Sequence, residues 1–584
     1  MSPSAKHERR PNVLFVLTDD QGYGDLSCHG NPILNTPNLD RLHEDSVRMT
    51  DFHVSPVCTP TRAALMTGRN PLRTGAWATS WGRALLRRDE TTMADIFRRN
   101  GYKTAMFGKW HLGDSYPYRP TDRGFEHAVV HRGGSIGSTP DYWGNDYFDD
   151  TYAENDQDRR YDGYCTDIWF DLAEEFLRDN TEHPFFLYLA TNAPHAPFRV
   201  PAHYKERYAN NKDVPNAAYY GMIANIDENM GAMDNLLGEL GLRDNTIVIF
   251  MTDNGVVSKG GYHDGKGFNA GMRGTKGSFY DGGHRVPCFV RWPAGGIAGG
   301  LDVPELAWHA DLLPTLCDLC GLTVDTTLPW DGESFARLLT ASDKTPPVAG
   351  RCIHVLTRQG GRLPDKWGGA VLSGSWRLVH GKELYDIAAD PGQQRDVADM
   401  YPKRVAALRA ERERFWSDLG PEWDRFAPLV IGAEENPTKL SAQDLRVQPT
   451  GDLERGRIAW DQTHVIAGVE SDGSWLVEVA RPGRYRFDVR RWPTESGLAL
   501  GDTPLGSEDA RRLEATHALI RIGRSKSAVA IDSNAESAVF ELDLEAGLTD
   551  LWAGFEEPGR EPSAAYYLYV TRLDDASGRV ARER

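Results

Sequence analysis

Cysteine is scarce in this chain: seven among 584 residues, scattered and odd in number. That excludes the disulfide framework with which small secreted domains make up for a thin core. It leads us to expect a reducing compartment, the cytoplasm. Surplus positive charge is missing as well. Lys and Arg number 66 against 84 Asp and Glu, a formal charge of -18, so nucleic acid and anionic membranes are repelled at long range. No basic run with interleaved aromatics offsets this, and neither partner is expected. No apolar stretch reaches the roughly 20 residues that span a bilayer. The N-terminal MSPSAKHERRPNV is basic but passes straight into a short apolar strand, without the apolar region or cleavage site of a secretory signal. A periplasmic location would require a leader removed ahead of it. Internal repeats and low-complexity segments are also lacking, which leaves no ground for a repeat architecture.

What is present suits packed domains. Hydrophobic residues make up 40%, with 16 Trp and 22 Tyr, and the length exceeds the about 250–300 residues at which single cores stop growing. Asn12–Thr18, Phe185–Ala190 and Thr246–Thr252 are continuous apolar runs, as expected of strands buried on both faces of a sheet. Each ends abruptly in polar residues: Asp19-Asp20, Thr191-Asn192-Ala193-Pro194-His195, and Asp253-Asn254-Gly255. In open α/β sheets ligands bind beyond the carboxyl ends of strands, so one site assembled from distant segments is predicted. Helical patterns at 63–67, 92–100 and 218–240 lie between the strands. The fold class is α/β, a parallel or mixed sheet covered by helices, over residues 10–345. Short strands near 353–356, 370–372 and 376–380 and a charged helix at 402–419 predict a small α+β subdomain over 346–431. Alternating strands at 474–480, 485–490, 518–522, 538–544 and 566–571 predict an antiparallel β-sandwich over 432–584.

Asp19, Asp20, Asp253 and Asn254 offer hard oxygen donors suited to Ca²⁺ or Mg²⁺. They equally suit a cap and a turn. Cys58-Thr59-Pro60-Thr61-Arg62 ahead of a helix is the sharpest pattern. With seven Cys, 34 Pro and at most 66 Arg, at most roughly 0.05 chance matches to Cys-x-Pro-x-Arg are expected. A buried Cys before a Pro-started helix is the structural alternative. Cys317-Asp318-Leu319-Cys320 has redox or zinc spacing but lies on an amphipathic helix and reads as core. The segments 77–88 and Gly260-Gly261-Tyr262-His263 are either pocket walls or surface loops.

Cys58-Thr59-Pro60-Thr61-Arg62, followed by Ala63-Ala64-Leu65-Met66-Thr67-Gly68-Arg69, resembles the signature of the type I sulfatases. Further blocks resemble that family in its order: Leu17-Thr18-Asp19-Asp20, Gly108-Lys109-Trp110-His111, Pro194-His195-Ala196-Pro197, Thr252-Asp253-Asn254-Gly255, Gly274-Thr275-Lys276-Gly277, and Leu384-Tyr385-Asp386. The resemblance covers about residues 10 to 420. It implies an alkaline-phosphatase-like fold and hydrolysis of sulfate monoesters, small or saccharide. It also implies one Ca²⁺ on Asp19, Asp20, Asp253, Asn254 and an oxygen of residue 58, and oxidation of Cys58 to formylglycine by a maturation enzyme. By the same resemblance Lys109 and Lys276 would grip sulfate, Arg62 would hold the formylglycine diol, His111 would help deprotonate it, and His195 would protonate the leaving oxygen. A diol suits the chemistry, because its second hydroxyl can expel the sulfate that a Ser or Cys ester would retain. Two other functions fit the same residues: a phosphonate monoester or phosphodiester hydrolase, and a carbohydrate-binding protein that uses the sandwich. The pattern leaves the oligomeric state open.

Overall fold

The computed structural model describes residues 10–340, 350–360, 364–447, 457–507 and 509–573. The expected division at 345/346 and the N-terminal segment up to residue 9 lie outside these.

Ten strands form one mixed sheet: β1 (Asn12–Thr18), β2 (Val47–Met49), β3 (Lys103–Lys109), β4 (His127–His131), β5 (Thr151–Glu154), β6 (Gln157–Arg160), β7 (Phe185–Ala190), β8 (Thr246–Thr252), β9 (Cys288–Arg291) and β10 (Leu301–Val303). Their order is β10-β2-β9-β8-β1-β7-β3-β4-β5-β6. The five from β8 to β4 are parallel, while β9 and the β4-β5-β6 edge run antiparallel to their neighbours. The three apolar runs are thus the adjacent strands β8, β1 and β7. Val13, Phe15 and Leu17 enter the core on one face, and Leu14 and Val16 that on the other. Two covered faces are why these strands show no alternation. β3 was legible only through its Gly-Lys end. At Gly108 (φ +109) a Cβ would stand 2.0 Å from the Ala190 carbonyl oxygen, so glycine lets β3 and β7 close up where Lys109 leaves the sheet.

The helices follow the expected pattern with shifted ends. The one expected at 63–67 begins earlier: α1 runs Cys58–Thr67, with Pro60 tolerated in its first turn. Met93–Arg99 is opened by a capping box between Thr92 and Asp95, and Asn216 caps Ala217–Glu239. Cys317 and Cys320 are buried in Leu312–Cys320 as core residues. Among the described residues no helix is long and apolar enough to cross a membrane.

A four-stranded antiparallel sheet, Ile353–Leu356, Gly369–Ser373, Trp376–Val379 and Glu383–Asp386, follows, with the helix Pro402–Leu419. Two further sheets then pack on one core: Thr438–Ser441, Gly483–Arg490, Ala538–Leu544 and Tyr567–Arg572 against a sheet containing Trp475–Val479, Gly547–Glu556 and His517–Ile522. This sandwich is antiparallel except at Leu429–Ile431, which joins Trp475–Val479 in parallel and precedes the expected division at 432. We propose that the chain's units follow these sheets, with the sandwich starting at that strand.

The sandwich is docked by polar and apolar contacts. Thr139 Oγ1 donates to Ala459 O (2.6 Å), Gln462 Nε2 to Ser138 O (3.2 Å), and Tyr118 Oη to Pro428 O (2.5 Å), while Leu85 and Tyr118 enter the sandwich core. Carboxyls are buried along this junction. Burial pushes Asp141 up to about 8 and Glu435 and Asp444 up to about 7. Folded values above the unfolded ones mean stability fully present below about pH 4 and lost as pH rises through about 8. Asp141→Asn removes one of these terms. Its melting temperature, relative to wild type, should rise by a few degrees more at pH 9 than at pH 4. Equal shifts at both pH values would refute the assignment.

Candidate active site

The carboxyl ends of β8, β1 and β7 place Asp253-Asn254, Asp19-Asp20 and the Asn192–His195 turn side by side, and β3 adds Lys109. Asp20 takes a left-handed conformation (φ +67), which turns its side chain back towards β8. Its N–H donates to Asp253 Oδ1 (3.1 Å), and Asn254 Nδ2 donates to Asp20 Oδ1 (2.9 Å). Above this group stands the N-terminus of α1. Cys58 Sγ lies 3.5 Å from Asp19 Oδ1 and 3.5 Å from Lys276 Nζ. All ten residues of α1 are buried.

Two lysines balance the acids. Lys109 Nζ is 2.6 Å from Asp19 Oδ2, and Lys276 Nζ is 2.5 Å from Asp20 Oδ1. Burial would raise the Asp20 carboxyl, but Lys276 and His195 outweigh it and hold it below the usual carboxylate range. Asp253 behaves oppositely. Burial first, and then the charge of Asp19, push it up to about 6 against the pull of Arg62. Arg62 directs Nη2 to Asp253 Oδ2 (2.9 Å) and Nη1 to the Lys109 carbonyl (2.8 Å), and does not line the cavity. Burial pushes the Cys58 thiol up to about 12, so as a plain cysteine it is a poor nucleophile near neutral pH.

The histidines have fixed rings. His195 Nδ1 lies 2.6 Å from the Ala196 carbonyl oxygen and Nε2 is 3.5 Å from Asp20 Oδ2; burial lowers it to about 4. His111 Nε2 lies 3.1 Å from the Thr79 carbonyl oxygen. An N–H must fill that gap, so Nδ1, buried and unpartnered, is a bare acceptor.

Ligand atoms of Asp19, Asp20, Cys58 and His195 lie within 4.8 Å of one another. Asn254 Oδ1 is buried with no hydrogen-bond partner among the described residues, an acceptor waiting for a positive group. Three buried carboxylates and this orphan oxygen form a hard donor set, which fits a Ca²⁺ or Mg²⁺ ion. His195, expected only as an acid, also belongs to the close group.

Cys58, His111, His195 and Lys276 line a cavity of about 270 Å³. Lys109 does not; it is wholly buried beneath it. Thr79, Ser80 and Trp81 of the segment 77–88 form one wall. The Gly260–His263 segment lines none of it: Gly260 and Gly261 abut Tyr219 and Tyr262–His263 forms a small hairpin with Lys266–Gly267. Sequence reasoning missed Gln359, Gln443 and Trp460. The last two come from the C-terminal region, and no local pattern marks them.

A family model described as Sulfatase matches residues 11–322. The chain is 34% identical to human arylsulfatase A over 373 residues, covering 58% of this chain and 69% of that protein. It is 32% identical to arylsulfatase A of Bos taurus over 494 residues, covering 73% and 92%. A crystal structure of Ps i-CgsB in complex with k-i-k-neocarrahexaose superposes with a TM-score of 0.63 at 27% identity, covering 72% of this chain and 95% of that one. The chain therefore belongs to the sulfatase family and is a sulfuric ester hydrolase.

Proposed function

We propose that the chain hydrolyses sulfate monoesters of neutral, ring-bearing alcohols, with one Ca²⁺ on Asp19, Asp20, Asp253 and Asn254 and with Cys58 oxidised to formylglycine by a maturation enzyme. One observation carries the reading: Cys58, Lys276, His111 and His195 converge on one cavity beside the orphan Asn254 Oδ1. When present, the calcium supplies positive charge to the sulfate oxygens, and the formylglycine diol a nucleophile whose second hydroxyl releases sulfate. Lys276, 3.5 Å from the atom at position 58, adds a second charge there. Lys109 fixes Asp19 from below, and Arg62 orients Asp253. The bare Nδ1 of His111 accepts the proton of the attacking hydroxyl. His195 keeps its ring proton at Nδ1 on Ala196 O, so Nε2 must first take up a proton, against the burial that lowers this histidine to about 4, before it can pass one to the leaving oxygen.

The alcohol half would lie between Trp81 and Trp460, with Gln359 and Gln443 as amide partners. Among the described residues Lys276 is the one Lys or Arg lining this cavity and belongs to the sulfate end, so no described residue there reads a second anionic group. The volume of about 270 Å³ falls just below the roughly 300–1,000 Å³ usual for small-molecule pockets, room for sulfate and about one ring. The saccharide named with Ps i-CgsB supports sugar sulfates among these. Seven free cysteines support a reducing compartment.

Rates on matched aryl sulfates, singly sulfated sugars and aryl phosphonates test the proposal. Faster cleavage of phosphonates than of any sulfate would overturn it. Trp460→Ala should raise KM for a ring-bearing sulfate about 3–10-fold, the worth of one stacking contact, and leave kcat near wild type. Unchanged KM across the panel would remove Trp460 from the subsite.

A further inference from the structure

Away from this cavity, where the catalytic sheet meets the Ile353–Asp386 sheet, lies a second group of buried ligand residues. His53, Asp281 and His284 are all wholly buried, and one ligand atom from each lies within 4.8 Å of the others. The two imidazoles face each other, His53 Nδ1 to His284 Nδ1, at 2.9 Å. Their outer nitrogens face acceptors: His53 Nε2 is 2.9 Å from Asp51 Oδ1, and His284 Nε2 is 3.2 Å from the Phe279 carbonyl oxygen.

Counting only the protons of the two imidazoles exposes a shortfall. The chain Asp51–His53–His284–Phe279 has three gaps, each needing one hydrogen, and two neutral imidazoles carry only two. If each histidine donates outward from Nε2, both Nδ1 lone pairs are left pointing at each other. A third proton would create a wholly buried imidazolium, which desolvation disfavours. A metal ion fills the gap without it. Outward donation to a carboxylate and a backbone carbonyl is the arrangement that fixes the tautomer of metal-bound histidine. A third donor is at hand, because Asp281 Oδ2 is buried with no hydrogen-bond partner among the described residues. Arg377 Nη2 carries two hydrogens, one donated to Asp51 Oδ1 (2.6 Å) and one available to His53 Nε2 (3.2 Å), and its Nε reaches Asp281 Oδ1 (3.2 Å). In the metal-free protein this guanidinium can make up the missing hydrogen, so the metal reading rests on the facing Nδ1 pair and on Asp281 Oδ2.

We infer that His53, His284 and Asp281 form a second metal site, distinct from the hard-oxygen site at Cys58 and suited to Zn²⁺. Two imidazole nitrogens and a carboxylate oxygen are zinc donors, whereas Ca²⁺ prefers oxygen alone. Two nitrogens each about 2.05 Å from a tetrahedral ion stand about 3.3 Å apart, a small widening of the present gap. The ion would tie the segment leading into Cys58 to the one following Lys276.

The test is elemental analysis of the purified full chain, grown with zinc and desalted in excess calcium. About one zinc per chain is expected in wild type and in Cys58→Ala, whose loss of activity leaves this site intact. Folded His284→Gln should lose the zinc, and Asp51→Asn should bind it about 10–100-fold more weakly. Should His284→Gln fail to fold, wild type grown with cobalt still decides, through the visible absorption bands of nitrogen-ligated tetrahedral Co²⁺. Wild type without zinc, zinc retained in folded His284→Gln, or zinc lost in Asp20→Ala would each overturn the site.

Discussion

Cys58→Ala is expected to abolish turnover while the protein folds normally, a loss on the order of 10⁴–10⁶-fold, the scale on which removing a nucleophile disables a coupled catalytic group. Folding survives because the thiol makes few contacts, two at 3.5 Å to Asp19 and Lys276, and alanine favours a helix. Burial pushes the thiol up to about 12, which makes it a poor nucleophile near neutral pH. Cys58→Ser should attack once and stall with sulfate attached, because a serine ester has no second hydroxyl to expel the group. Intact-mass analysis reads each of these states, and in wild type the active fraction should track the fraction in which CH₂SH is replaced by CHO. Full activity from protein shown by mass to be unmodified would end the formylglycine reading.

Asp253→Ala should lose both activity and stability. Its partner Arg62 is fully buried, with Nη2 2.9 Å from the carboxylate. Deleting the acid leaves a guanidinium uncompensated in the core, a cost of about 3–5 kcal/mol. Asp253→Asn keeps the shape and an acceptor, so it should fold better yet remain inactive, having lost a charged oxygen from the cation site. Thermal melts and calcium titrations of the two variants separate these effects. A melting temperature for Asp253→Ala equal to wild type would contradict the buried pairing, and an active Asp253→Asn would contradict the metal role.

The parts of the site legible in the sequence are those where strand and ligand are contiguous. β1 with Asp19-Asp20, β7 with His195 and β8 with Asp253-Asn254 each record a buried strand and its chemical end within about ten residues. β3 was harder, because KTAMFGK begins and ends in lysine and contains the glycine its packing requires. Gln443 and Trp460 were not legible at all: they reach the cavity because the C-terminal region docks on distant segments, Trp460 O accepting from Thr139 N and Gln443 O from Trp81 N. His53, Asp281 and His284 were equally hidden, since folding joins two segments separated by most of the catalytic unit. The same reason, pairing between distant segments, conceals the parallel partnership of Leu429–Ile431.

Finally, α1 sets an order of events in the life of the chain. Every residue from Cys58 to Thr67 is buried in the finished protein, and no oxidising enzyme can grasp the Cys-x-Pro-x-Arg segment once the helix has seated. On the proposed formylglycine reading, conversion would therefore belong to the nascent polypeptide. β8, which completes the floor under Cys58, leaves the ribosome roughly 190 residues after Arg62, an interval of about 10–40 s at about 5–20 residues per second. On that reading catalytic capacity is decided by a race between maturation and closure, and chains that close first would be well folded, stable and permanently inert.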